Sequence, residues 1–256
     1  MGADGFETSQ DAVLGGRLQL RQPISGHRVG HDAILLAAAT GGIAGEHAAD
    51  LGAGVGAAGL ALAARVAGLN VTLVEIDAAL CELAAGNATL NHMDDRVRAL
   101  SADVEDSAAL AAAALSSGSV DRVLMNPPFN NPARQNVSPD PLRRLAHAGP
   151  AGLLARWVAA AAWLLKADGV LTLIWRADGL EDVLEALKPA FGSVTVLPVY
   201  PRLGAPPIRV LVRAVKAGQA AQMELSGLVL NDPQGRPTLA AERVMRHLGT
   251  LGLAEL

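Results

Sequence analysis

The chain has 256 residues, half of them apolar, with 21 Lys and Arg against 25 Asp and Glu and a net charge of −4. That length suits one domain with additions and a sizeable core, and the acidic balance argues against nucleic-acid binding through bulk charge. Cys81 is the single cysteine, so no internal disulfide and no cysteine-rich zinc site is available.

The mean hydropathy of +0.29 is carried largely by Ala and Gly. The runs Ala33–Gly45 and Leu51–Ala64 are too short and too glycine-rich to span a bilayer. The opening MGADGFETSQD is acidic and polar, unlike a secretory signal. The expectation is a cytoplasmic protein with no metal and no membrane segment.

In chain order, residues 1–31 read as an irregular arm, followed by a helix from Asp32, as N-cap, to Gly41-Gly42. From His47 onward short β-rich runs alternate with helical segments. The strands expected are Ala48–Leu51, Val71–Glu75, Val97–Leu100, Val120–Met125, Val170–Trp175, Ser193–Pro198 and Ile208–Ala214. The helices between them are Ala57–Ala67, Ala78–Leu90, Glu105–Leu115, Leu153–Lys166 and Leu180–Leu187. This alternation predicts an α/β fold, a mostly parallel seven-stranded sheet with helices on both faces. The last two strands, joined through Pro201–Pro207, would form an antiparallel hairpin at the sheet edge. The stretch Asn130–Pro150 is long, polar and proline-bearing and reads as a mobile loop. The organisation expected is an N-terminal arm and helix over 1–46, a catalytic domain over 47–216 and a C-terminal extension over 217–256.

The segment Asp50-Leu51-Gly52-Ala53-Gly54-Val55-Gly56 lies at a strand end before a helix. Glycines there let the backbone turn sharply and approach a ligand, at the edge where doubly wound sheets bind. Gly54 to Gly59 also fits G-x-G-x-x-G, a weak nicotinamide signal. The acids around it favour S-adenosylmethionine. Asp50 is positioned for the amino group of such a donor, Glu75 (followed by Ile76) for the ribose hydroxyls, and Asp103 with Val104 for the adenine. Three acids after three successive strands suit a cofactor without phosphates.

After the fourth strand comes Asn126-Pro127-Pro128-Phe129. An exocyclic adenine amine is a poor nucleophile because its lone pair is delocalised into the ring. The Asn126 amide oxygen and the Pro127 carbonyl are acceptors that favour a pyramidal, attacking nitrogen. Pro127 and Pro128 stiffen their aim, and Phe129 is available to stack on the base. This points to in-line methyl transfer, with S-adenosylhomocysteine as product.

Beyond these motifs, the sequence resembles the bacterial tRNA adenine-N6 methyltransferases that modify the adenine beside the anticodon of a valine tRNA. The resemblance is carried by Leu14-Gly15-Gly16-Arg17, Gln22-Pro23 and Gly26 to Ala37 near the start. Near the end, Gly227-Leu228-Val229-Leu230, Gly235 and Thr238 also match. It implies a class I, Rossmann-like methyltransferase fold, S-adenosylmethionine as donor and tRNA as partner. It also implies that the segment at Gly30 and Asp32 lies against the methionine end of the donor. His31 departs from the small hydroxyl residue of many relatives.

Arg134, Arg143, Arg144 and Arg202, joined by His27 and Arg28, are the residues expected to meet RNA around the pocket mouth. An acid-free run from Glu185 to Glu224 carries Lys188, Arg202, Arg209, Arg213 and Lys216. Two alternatives stand beside this reading: a protein glutamine N5-methyltransferase of the release-factor type, and a non-catalytic protein binding S-adenosylmethionine or RNA. The tryptophans Trp157, Trp163 and Trp175 read as core.

Overall fold

The structure, a computed structural model, describes residues 7–24, 28–128 and 149–256. Strands β1 (Thr8–Val13) and β2 (Leu18–Pro23) precede α1 (His31–Ala39). Then come β3 (His47–Leu51), α2 (Ala57–Arg65), β4 (Asn70–Glu75), α3 (Ala78–Leu90), β5 (Val97–Ser101), α4 (Ser107–Ala112) and β6 (Val120–Met125). The next described elements are α5 (Gly149–Leu164), β7 (Leu165–Arg176), α6 (Leu180–Leu187), β8 (Phe191–Arg202) and β9 (Arg209–Lys216). The chain ends with β10 (Met223–Glu224), β11 (Leu228–Asn231) and α7 (Leu239–Arg246).

The central sheet runs β10-β8-β9-β7-β6-β3-β4-β5, with β11 also on β8. From β7 to β5 every pairing is parallel, and β9 runs antiparallel between β7 and β8. Side chains alternate between two cores, as a period of two requires. Leu124, Ile174 and Leu211 face the core under α1, α2 and α3. Their neighbours Val123, Met125, Leu173, Trp175, Val210 and Val212 face the core under α4, α5 and α6. Both faces are covered, which is why the parallel strands read as unbroken apolar runs.

The structure corrects several sequence expectations. Among the described residues the sheet has nine strands rather than seven, because β10 and β11 cover the outer edge of β8. The supposed irregular arm contains an antiparallel hairpin, with Thr8 opposite Pro23 and Val13 opposite Leu18. Its inner strand buries Leu18 and Leu20, while no residue of its outer strand is fully buried, so only half of it shows a core pattern. Gly30, not Asp32, caps α1, and Asp32 sits in the first helical turn. Gly149 and Pro150, expected in a loop, lie in α5, and the rest of that stretch is outside the described residues.

The two ends of the chain meet on the face covered by α1 and α2. The Gly15 backbone comes so close to α7 that a Cβ there would lie 2.6 Å from the Arg246 carbonyl. Arg17 donates to that same carbonyl at 2.8 Å, and Arg65 of α2 donates to the Val244 carbonyl at 2.7 Å. The Leu-Gly-Gly-Arg text near the start is therefore a docking piece for the C-terminal helix.

Close helix–strand packing also fixes α2. A Cβ on Gly59 would overlap the Leu73 side chain and lie 3.1 Å from both Asp50 Oδ2 and Val71 Cγ1. Gly59→Val is expected to destabilise the fold by about 1–3 kcal/mol through overpacking, read as a lower urea midpoint.

Candidate active site

β3 lies between β4 and β6, so the chain leaves β3 in one direction and returns on its other side. Ligands of open α/β sheets bind at such switch points, beyond the carboxyl ends of the strands. The register pairs Leu51 with Met125, which puts Gly52 and Asn126 at neighbouring strand exits.

The turn after β3 uses glycine three times where φ is positive: Gly52 at 70°, Gly54 at 57° and Gly56 at 87°. L-residues avoid that region, so alternate glycines let the turn form without strain. Gly52 N and Ala53 N both donate to the Val74 carbonyl at 2.9 Å, which ties the turn to β4.

Two buried carboxylates hold the rest of it. Asp50, 2% exposed, accepts from Gly59 N at 2.8 Å. It therefore anchors α2 from beneath the turn, where the sequence suggested a direct partner for the donor's amino group. Burial pushes its carboxyl up to about 7, opposed by the Gly59 hydrogen bond and reinforced by the charge of Glu75. Glu75, 8% exposed, accepts from Gly54 N at 2.8 Å and from Asp77 N at 2.9 Å. Asp77 in turn caps α3 by accepting from Ala79 N and Leu80 N.

This decides between the two cofactor classes. A pyrophosphate needs free turn and helix N–H groups and positive surroundings. Here Gly54 N and Gly59 N are spent on carboxylates, and the site gathers negative charge. Such a site disfavours a pyrophosphate and suits a cationic, phosphate-free ligand. S-adenosylmethionine fits.

The other expected cofactor residues fall along the same edge. Ile76 follows Glu75 with 66% of its surface exposed, an apolar platform at a strand exit. Asp103 is exposed beyond β5 and accepts from Glu105 N at 2.9 Å, with Val104 buried beside it. Gly30 is exposed at the start of α1. Asp32 is ion-paired with Arg209 at 2.8 Å, which fastens α1 to the start of β9.

Asn126 Oδ1 is buried and accepts no hydrogen bond among the described residues. Leaving a buried acceptor unpaired costs about 1–3 kcal/mol, and this one stands at a strand exit on the edge where such sheets bind ligands. Pro127 is buried and Pro128 exposed. Phe129, His27, Arg134, Arg143 and Arg144 lie outside the described residues.

Of the remaining basic residues, Arg202 is exposed at the carboxyl end of β8, on the edge that carries the site. Arg28 pairs with Asp11 at 2.8 Å. The acid-free run does not form one surface. Antiparallel β9 places Arg209 at the site edge and Lys216 at the opposite end, bonded to the Leu165 carbonyl.

Sequence reasoning missed three contributors. Trp157 lies with its indole edge against Gly52, where any Cβ would overlap it. Asn87, fully buried on α3, donates to the Val55 carbonyl of the glycine turn at 2.9 Å. Gln22, buried in β2, accepts from Val29 N at 2.9 Å. For Asn87 the available signal was a polar amide placed within an alanine-rich helix. Trp175 is fully buried, as expected of a core residue.

A family model described as methyltransferase small domain matches residues 26–199. The chain belongs to that family. Among curated proteins it is 32% identical over 171 residues to a tRNA1(Val) (adenine(37)-N6)-methyltransferase of Porphyromonas gingivalis, covering 65% of this chain and 66% of that one. It is also 32% identical over 160 residues to a release factor glutamine methyltransferase of Chlorobaculum tepidum, covering 60% of this chain and 53% of that one. The match thus spans less than two thirds of either relative's length. Among solved structures, a predicted O-methyltransferase from Agrobacterium tumefaciens is 28% identical with a TM-score of 0.73, covering 86% of this chain and 98% of that one. The class I α/β architecture is thereby established.

Among the described residues no group of His, Cys, Asp and Glu could hold a metal ion. No helix among them is long and apolar enough to cross a membrane.

The raised Asp50 value gives a signed prediction. Between about pH 4 and pH 7 the folded state retains a proton that the unfolded state loses, so this group's contribution to stability falls as pH rises through that window. Asp50→Asn keeps an oxygen to accept from Gly59 and removes the titration. Its stability relative to wild type should rise from pH 4 to pH 7 and be level above, in urea unfolding at several pH values.

Proposed function

We propose that this chain transfers a methyl group from S-adenosylmethionine to the exocyclic N6 of an adenine in tRNA, in the cytoplasm. The observation that carries the reading is the buried Asn126 Oδ1, unpaired among the described residues, beside a glycine turn held by two carboxylates. The identity to relatives named tRNA1(Val) (adenine(37)-N6)-methyltransferase supports adenine in tRNA as the substrate.

Glu75 and Ile76 would hold the ribose side of the donor, Asp103 and Val104 its adenine, and the turn from Gly52 to Gly56 with the Gly30–Asp32 segment its methionine end. When bound, the donor supplies an electrophilic methyl on a sulfonium and leaves as S-adenosylhomocysteine. Asn126 Oδ1 and the Pro127 carbonyl accept the two N–H groups of the substrate amine and bias its nitrogen toward a pyramidal, attacking geometry. The prolines fix those oxygens before substrate arrives, so little reorganisation remains at the reaction itself. With the donor bound, the substrate nitrogen would take its methyl as the carbon–sulfur bond gives way, and would then release a proton to solvent. No carboxylate base is needed, because the amine proton becomes acidic on methylation. Phe129, outside the described residues, is the proposed stacking partner for the base.

The release-factor relative supports a second reading, transfer to a glutamine side-chain amide, since the same two acceptors suit any planar N–H2 group. Incubation with labelled donor, unmodified tRNA and a release factor separates them. Nucleoside mass spectrometry should show N6-methyladenosine, whereas label in the protein band alone would replace the tRNA reading.

Asn126→Ala should lower turnover by about a hundredfold or more while donor affinity, measured by calorimetry, changes little. Arg202→Ala should weaken tRNA binding evenly across tRNA sequences and reduce the slope of log affinity against log salt by about one.

A further inference from the structure

We propose that the N-terminal hairpin is a positioning element for the methyl donor, acting through two buried amides, Asn87 and Gln22. The inference rests on the reading that the glycine turn and the Val29–Asp32 segment hold that donor.

Asn87 has no exposed surface and bonds in two directions. Its Oδ1 accepts from Arg21 N at 2.7 Å and its Nδ2 donates to the Arg21 carbonyl at 2.9 Å. The side-chain amide thus occupies the place of a neighbouring strand for β2. The same Nδ2 donates to the Val55 carbonyl at 2.9 Å, inside the turn between Gly54 and Gly56. One amide therefore joins the hairpin to the glycine turn. The turn's glycines supply no side chains of their own to fix it, so its shape depends on bonds of this kind.

Gln22 makes the second link. It is 4% exposed, donates to Asp11 Oδ2 at 2.8 Å and accepts from Val29 N at 2.9 Å. Asp11 also accepts from Arg28 at 2.8 Å. Asp11 on β1 and Gln22 on β2 thereby hold the two residues that lead into Gly30 and α1, whose Asp32 is fixed by Arg209. The hairpin thus contacts both sides of the proposed donor site: the turn through Asn87 and the α1 entry through Gln22.

Asn91 provides a built-in control. It bonds β2 in the same manner, accepting from Gln19 N at 2.8 Å and donating to the Gln19 carbonyl at 2.7 Å. Its remaining bond goes to the Asn87 carbonyl rather than to the turn. Removing Asn91 loosens the hairpin without touching either donor segment.

The test is calorimetric titration of S-adenosylmethionine and S-adenosylhomocysteine into the full-length wild type, Asn87→Ala, Gln22→Ala and Asn91→Ala, with thermal melts of each. Steady-state kinetics on tRNA follow. Loss of the one hydrogen bond that each amide makes to a donor segment predicts donor affinity weakened about tenfold in Asn87→Ala and Gln22→Ala. Donor KM should rise correspondingly, with kcat at saturating donor within about twofold of wild type. Asn91→Ala should lower the melting temperature and leave donor affinity unchanged. Unchanged affinity in both Asn87→Ala and Gln22→Ala, or equal losses in all three variants, would overturn the proposal. Should Asn87→Ala not fold, Gln22→Ala against Asn91→Ala decides the matter alone. Failure of the wild type to bind either ligand would instead remove the donor reading on which the inference rests.

Discussion

Two buried carboxylates take up backbone amides that a phosphate-binding turn would keep free, and most of the chemistry of this molecule follows from that. Asp50 and Glu75 accept from Gly59 and Gly54 respectively. With those donors committed to carboxylates, the turn offers a pyrophosphate fewer amides and a less positive setting than its glycine spacing alone suggests. A cationic ligand relieves the mutual repulsion of the two acids instead. The raised carboxyl of Asp50 reflects the cost of this arrangement, in which burial is only partly offset by a single amide.

The second constraint is the crossing of the chain from β5 back to β6, beside β3. Strand pairing alone then sets Gly52 next to Asn126. Neither residue needs a side-chain contact to find the other. The Asn126 oxygen, which accepts no hydrogen bond among the described residues, stands where β6 leaves the sheet between β3 and β7.

The additions at the two ends of the chain reinforce this centre. Gly15 and Arg17 dock on α7, Arg65 reaches the Val244 carbonyl, and Leu14, Leu18, Leu20, Leu228, Val244 and Leu251 share one core with α1 and α2. The hairpin has few buried side chains of its own. It is held also by amide side chains that imitate a strand edge, a form of pairing that backbone pattern alone does not reveal.

Much was legible in the order of residues. The alternation of β-rich and helical runs gave α3 and α6 their observed limits, and the glycine turn and the Asn-Pro-Pro segment stood out because backbone constraints restrict which residues fit such turns. Local chemistry of that kind is written in neighbours along the chain. What only tertiary structure decided were the partners across space: Asp50 bound to Gly59 of α2, Asp32 bound to Arg209, and Asn87 bridging Arg21 to Val55. An acid or amide has several possible partners, and which one it takes depends on elements brought together from 9 to 177 residues away. Sequence spacing carries no record of that choice, because a hydrogen bond is selected by geometry in the folded chain.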